Sequence, residues 1–209
     1  ELEMIDRHRR MIERRIKAAK FPAVKSLDSF DFKAIPALNK MQVLELARCE
    51  WIERRENVIA LGPSGTGKTH VALGLGLSAC QKGLSVGFVT AAALVHELME
   101  ARDERRLLRL QKQMVGYKLL IIDEDSMVDT WLMRRLLKSV PSGMQVLFVG
   151  DKDQLPSVGP GQVLFDLLNC KPLPQVELNE IFRQSGDSSI IPLAHEIKNP
   201  LTPIQLSAE

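Results

Sequence analysis

The most restrictive stretch of this chain is eight residues long: Gly62-Pro63-Ser64-Gly65-Thr66-Gly67-Lys68-Thr69, set between the apolar run Val58–Leu61 and an apolar helical pattern that continues to Cys80. The spacing G-x-x-x-x-G-K-[ST], with a strand before it and a helix after it, forces a sharp passage from sheet to helix. Its glycines let the backbone curl so that successive N–H groups face inward, and the helix that follows adds its positive end. Such a cradle takes a phosphate. Lys68 is placed to bridge β- and γ-phosphates, and the Thr69 hydroxyl is placed to meet Mg²⁺, which prefers oxygen ligands. The eight loop residues and the adjoining His70 are therefore the candidate ATP-binding set. The competing reading, a glycine-rich turn with no ligand, is disfavoured by the flanking elements.

From Asn57 onward, short apolar runs alternate with helical stretches, the signature of a parallel sheet. The runs at Val58–Leu61, Ser85–Thr90, Lys118–Asp123, Gln145–Gly150 and Gln175–Leu178 predict five strands, with helices over 69–80 and 91–102 and a further surface helix over 103–113. The expected class is α/β: a P-loop NTPase with an open parallel sheet of about five strands, RecA/AAA+-like, flanked by helices and preceded by a short helical segment. Ahead of the sheet, residues 1–20 carry Met4, Ile5, Met11, Ile12 and Ile16 in a 3.6-residue stripe among Arg and Lys. Residues 26–36 lack periodicity and read as an extended linker pinning its aromatics onto the next domain, and a second helix is expected over 40–54. This divides the chain into an N-terminal basic helix and linker (1–40) and an ATPase domain (41–209).

Asp123 closes the run Leu119–Ile122, so it emerges at the carboxyl edge of the sheet, where a phosphate loop on a neighbouring strand would place the metal. Thr69 and Asp123 are the candidate metal ligands. Glu124 comes next. Successive side chains diverge in an extended chain, so Glu124 is the candidate general base toward an attacking water. Asp125 is secondary. The run Gln145–Gly150 delivers Asp151, Asp153 and Gln154 to the same edge, and Gln154 is the choice for sensing the γ-phosphate. Arg183 comes after the last predicted strand, and its pattern alone would leave it a surface arginine.

Net charge bears on partners. At +2, with 26% charged residues, the chain has no overall field to draw in nucleic acid, so any such contact must come from a local patch. The basic helix, with Arg7, Arg9, Arg10, Arg14, Arg15 and Lys17, offers one, although a solvated amphipathic face explains it equally well. Trp51 and Trp131 suit base stacking but are expected in the core. His8, His70, His96 and His195 are scattered and receive no catalytic or metal role. Cys49, Cys80 and Cys170 lack paired spacing and read as reduced thiols. No apolar stretch approaches the ~20 residues of a membrane span, so no membrane partner and a cytoplasmic location are expected. The start at Glu1, inside a helical pattern, suggests a fragment.

Residues 7 to about 124 resemble the IstB/DnaC-like family of AAA+ ATPases, which assist insertion-sequence transposases or load replicative helicases. The likeness runs through AAKFP, KSLDSFDF, QVLELA, NVIALGPSGTGKTHVALGL, VGFVTAAALVHELMEA and KLLIIDE. Residues 119–200 are similar to the first motor domain of RecD-like superfamily 1 DNA helicases, through LLIIDEDSMVDTWLMRRLLKSVPSG, VLFVGDKDQLPSVGPGQVLFDLL, LNEIFRQ and IIPLAHEIKN. The second resemblance implies that Gln154 and Arg183 approach the γ-phosphate, and that Gln42 matches a glutamine reading adenine. The two likenesses meet at IIDE, Ile121–Glu124, a string both families share, so the chain reads as a fusion inside one strand.

Three functions are compatible with these residues. The first is a transposition-helper or helicase-loader ATPase, whose relatives commonly act as oligomers. The second is a fragment of a helicase motor, without the second motor needed for unwinding. The third is an ATP-binding interaction module with little turnover. DNA is the expected polymer, and a transposase, a replicative helicase or another DNA-processing protein is the expected protein partner.

Overall fold

The computed structural model describes residues 2–35, 38–63, 65–100, 108, 112, 114–123, 128–151, 160–161, 163–168 and 175–177. The first helix, α1 (Leu2–Ala18), leads into two short 3-10 turns, Leu27–Ser29 and Phe32–Ala34. Helices α2 (Lys40–Leu46) and α3 (Glu50–Glu53) come next. Then come β1 (Val58–Leu61), α4 (Lys68–Gln81), β2 (Val86–Thr90), α5 (Ala91–Glu100) and β3 (Leu119–Asp123). The described elements end with α6 (Thr130–Ser139), β4 (Gln145–Gly150), α7 (Val163–Leu168) and β5 (Gln175–Glu177).

The described strand pairs are all parallel, in the order β2-β3-β4-β1-β5. The central strands β1, β3 and β4 are buried along their whole length, which is why their sequences are near-continuous apolar runs. Alternation still sorts the side chains into two layers. Val58, Ala60, Leu119, Ile121, Leu147 and Val149 face one core, whereas Ile59, Leu61, Leu120, Ile122, Val146 and Phe148 face the other.

The strand order dictates what covers each face. Parallel crossovers are right-handed in nearly all proteins, so the direction of each step along the sheet selects the face of its helix. Only β1→β2 steps one way, through α4. The steps β2→β3, β3→β4 and β4→β5 run the other way, and α5, α6 and α7 accordingly share the second core through Leu94, Leu132, Leu136 and Leu164. Among the described elements, that leaves α4 as the sole crossover helix on the first face. The N-terminal elements complete its cover: Ala19, Ile35, Leu38, Val43, Trp51 and Ile52 belong to the same core as α4.

Four local expectations change. The described part of the linker expected over 26–36, residues 26–35, is not simply extended: Ser26 and Asp31 cap its two 3-10 turns by accepting from Ser29 N and Lys33 N. The helix expected over 40–54 is broken at Cys49, whose φ of 61° is left-handed. The break lets Trp51 bury and donate its indole N–H to the Leu46 carbonyl at 2.9 Å. Trp131 is 47% exposed, not in the core. Leu132, Met133 and Leu136 take the buried stripe of α6, and the Trp131 ring faces outward under the Arg135 guanidinium. The fourth concerns the sheet: β1 and β3 are not neighbours, because β4 pairs with both.

Candidate nucleotide site

The carboxyl ends of the parallel strands meet at one edge, and the sheet changes direction between β1 and β4. In open α/β sheets, ligands bind at that switch point. The phosphate loop lies there: it leaves β1 at Gly62, whose N–H donates to the Gly150 carbonyl at the end of β4. Thr66 is fully buried inside the loop, and its hydroxyl donates to the Pro63 carbonyl at 2.9 Å. Gly67, the N-cap of α4, has φ 87° and no side chain to satisfy the first-turn amides. Those amides remain for an anion to accept.

Lys68 Nζ donates to the carbonyls of Gly62 and, at 2.8 Å, of Pro63, which ties the ammonium to the mouth of the loop. Thr69 turns its hydroxyl to Asp123. It donates at 3.0 Å to Oδ2, with Oδ1 at 3.3 Å. Asp123 is 9% exposed, and a carboxylate so enclosed requires donors or a cation. β4 separates the two parent strands, but it extends the edge only by its own width, and the first turn of α4 bridges it. The buried Asp151, one residue past β4, lies at the same edge.

A hydroxyl and a carboxylate in contact fit Mg²⁺, a hard cation commonly held by one or two protein oxygens together with substrate phosphates. Among the described residues, no cluster of three or more His, Cys, Asp or Glu provides an all-protein metal cage, and this kind of site needs none.

Gln42 sits half-buried in the first turn of α2, with its N–H capped by the Asn39 side chain. His70 is oriented toward the N-terminal segment. Its Nε2 lies 3.0 Å from the Ser26 carbonyl and 3.2 Å from the Ser29 hydroxyl, and its ring meets that of Phe30 edge-on. Ser64, Glu124, Asp125, Asp153, Gln154 and Arg183 lie outside the described residues. The expected docking of the linker aromatics onto the next domain holds for Phe30, which packs against Gly67 and His70; sequence reasoning missed the polar contacts of His70 with Ser26 and Ser29. Their trace was there: Gly67, His70 and Gly74 recur at helical spacing on one stripe.

The chain has clear relatives. The model of the IstB-like ATP binding protein family matches residues 1–131. A protein described as the ATP-binding protein of insertion sequence IS21 in Pseudomonas aeruginosa is 45% identical over 118 residues, covering 56% of this chain and 44% of that protein. The ATP-dependent RecD2 DNA helicase of Deinococcus radiodurans is 35% identical over 153 residues, covering 66% of this chain and 21% of the helicase. That share is too large to be confined to residues 119–200, so the helicase likeness extends upstream of that segment. Among solved structures, AMPPCP-bound DnaA from Aquifex aeolicus shares the fold, with a TM-score of 0.59 at 15% identity over 90% of this chain and 67% of that one. The chain thus spans less than half the length of the insertion-sequence relative.

Proposed function

This chain belongs to the family of IstB-like ATP-binding proteins, and from that premise we propose that it is a magnesium-dependent ATPase of DNA metabolism, acting as an insertion-sequence transposition helper or helicase-loader type ATPase. The observation that carries the reading is the hydrogen bond from Thr69 to Asp123, 3.0 Å long, which joins the phosphate loop to the acidic tip of β3. In this reading the loop amides and Lys68 hold the β- and γ-phosphates, while Thr69 and Asp123 hold Mg²⁺. When bound, the cation neutralises phosphate charge. Glu124 orients and deprotonates the attacking water, Gln154 and Arg183 face the γ-phosphate, and Gln42 meets the adenine. Strand position and family likeness together support the roles of Glu124 and Gln154, and family likeness alone supports those of Arg183 and Gln42. DNA, a transposase or replicative helicase, further copies of the chain and a cytoplasmic setting complete the proposal.

The likeness to RecD2 favours a second reading, the first motor domain of a DNA helicase, a unit that steps along a strand only together with a second motor.

Phosphate release measured with and without single- and double-stranded DNA tests both readings. DNA-stimulated turnover is expected. Tight ATP binding without turnover would make the chain a binding module instead, and strand separation by this chain alone would overturn the ranking. Glu124→Gln should hold ATP yet lose hydrolysis, and undiminished turnover in that variant would remove Glu124 from the base role.

A further inference from the structure

Residues at spacings of three and four share one face of a helix. Gly67, His70 and Gly74 fall on such a stripe of α4, and the Ser26–Phe32 strap lies along it. A Cβ on Gly74 would stand 2.7 Å from Leu27 Cδ2 and 3.2 Å from the Leu27 backbone nitrogen, and one on Gly67 would stand 2.8 Å from Phe30 Cε2. Between them His70 supplies the polar clasp. A carbonyl only accepts, so Nε2 carries the proton shared by the Ser26 carbonyl and the Ser29 hydroxyl. Phe30 is wedged edge-on against both the His70 ring, at 5.2 Å, and the Phe32 ring, at 4.9 Å.

Gly67 is the residue on which this packing converges. It is the last glycine of the phosphate loop, held at φ 87°, and its carbonyl accepts from Val71 N at 3.0 Å to open α4. Its conformation sets the directions in which Lys68 and Thr69 leave the backbone. The strap is in turn continuous with α1: Phe21 packs on Gly76 and edge-on to Phe88, and Phe88 N donates to the Ala19 carbonyl at 3.0 Å.

We infer that Phe30, held by His70, is a positioning residue for the nucleotide: it braces Gly67 so that Lys68 and Thr69 present a preformed phosphate site. The inference rests on the ATP reading of the loop. Preformation matters because ordering a loop at the moment of binding subtracts from affinity.

The test is titration of the full chain with Mg²⁺ and a fluorescent ATP analogue, paired with thermal unfolding. The variants are Phe30→Ala, Phe30→Leu, His70→Gln and Leu27→Ala. Leu27 serves as the control, since it fills the same stripe two turns from the loop. Phe30→Ala is expected to weaken binding about tenfold and Phe30→Leu to restore most of it. Leu27→Ala should lower the melting temperature comparably yet bind within about twofold of wild type. His70→Gln retains a donor for the Ser26 carbonyl but loses the ring against Phe30, and should weaken binding about threefold, more than Leu27→Ala does, which keeps the test informative should Phe30→Ala fail to fold. Equal affinity in all folded variants, or equal losses in Phe30→Ala and Leu27→Ala, would overturn the inference. No saturable binding by wild type would instead sink the ATP reading itself, and this inference with it.

Discussion

Helices α1 and α4 pack together, are of similar length and live in opposite environments. α4 buries nine of its fourteen residues, including two glycines, an alanine pair and Cys80. Among the α1 residues whose burial is described, only Ile12, Arg15 and Ile16 are even half-buried, and Met4 and Ile5 are 76% and 64% exposed. α4 is enclosed because the sheet lies on one side and the N-terminal strap on the other, so small residues are needed on both. α1 is anchored only near its end, through Ile16 and Ala19. Its exposed pairs, Arg9–Glu13 at 3.1 Å and Arg7–Glu3 at 3.7 Å, contribute little, ~0.3–0.5 kcal/mol each. The difference teaches a division of labour: the helix that begins at the phosphate loop is immobilised, and its basic neighbour is left available.

Removing one cation from each helix should separate the two most strongly. Lys68→Ala takes an ammonium from the half-buried mouth of the loop and should abolish measurable ATP binding, a loss of ~2 kcal/mol or more for a charge pair desolvated by the nucleotide, roughly thirtyfold or more in Kd. Arg10→Ala on α1 should leave ATP affinity within about twofold. Calorimetric titration checks both, and equal effects would refute the division.

Packing gives the next largest contrast. Gly74→Val should destabilise the fold by ~1–3 kcal/mol through overpacking against Leu27, because the strap backbone 3.2 Å from the new Cβ cannot rotate away as a side chain can. Ile5→Ala on α1 should stay within ~0.5 kcal/mol. Urea unfolding decides, and a Gly74→Val variant as stable as wild type would mean that the strap is not tightly seated.

The loop, the five strands and the place of Asp123 at the end of β3 were legible because each is local: an octapeptide with its flanks, or an apolar run closed by a polar residue. Lateral strand order was not. Periodicity tells which face a residue takes but not which strand lies beside it, so the insertion of β4 between β1 and β3 left no mark in either strand. The docking of the strap's aromatics was legible, but its polar clasp escaped for a similar reason. Ser26 and Ser29 look like linker residues until His70, more than forty positions away, meets them. The break at Cys49 contains neither glycine nor proline, and it is the burial of Trp51 and Ile52 that enforces it.

Chemistry at α4 sharpens the contrast further. Burial pushes the Cys80 thiol up to about 11 from 9.0, against a smaller opposing pull from Arg15, and burial raises Cys49 as well. A folded-state pKa above the unfolded one means that the bound proton favours the fold. That contribution is fully present below pH 9 and is lost as pH rises through 9 toward 11. Wild type should therefore lose stability relative to Cys80→Ala across that window, with a slope of at most ~1.4 kcal/mol per pH unit. Parallel pH profiles for the two proteins would show that Cys80 is not held in a dry environment.

The smallest effects are expected on α1, and they test whether its availability has a use. Arg10, Arg14 and Lys17 fall on one stripe and make no ion pair among the described residues. If that stripe follows a DNA backbone, each alanine substitution should weaken DNA binding alike for every sequence and lower the slope of log K against log salt by about 1. Arg9, tied to Glu13, should change the slope by less, since its guanidinium is already partly neutralised. Fluorescence anisotropy on a labelled duplex at several salt concentrations reads both quantities. A slope unchanged in the Arg10, Arg14 and Lys17 variants would leave α1 a solvated helix, with DNA contact to be sought beyond it.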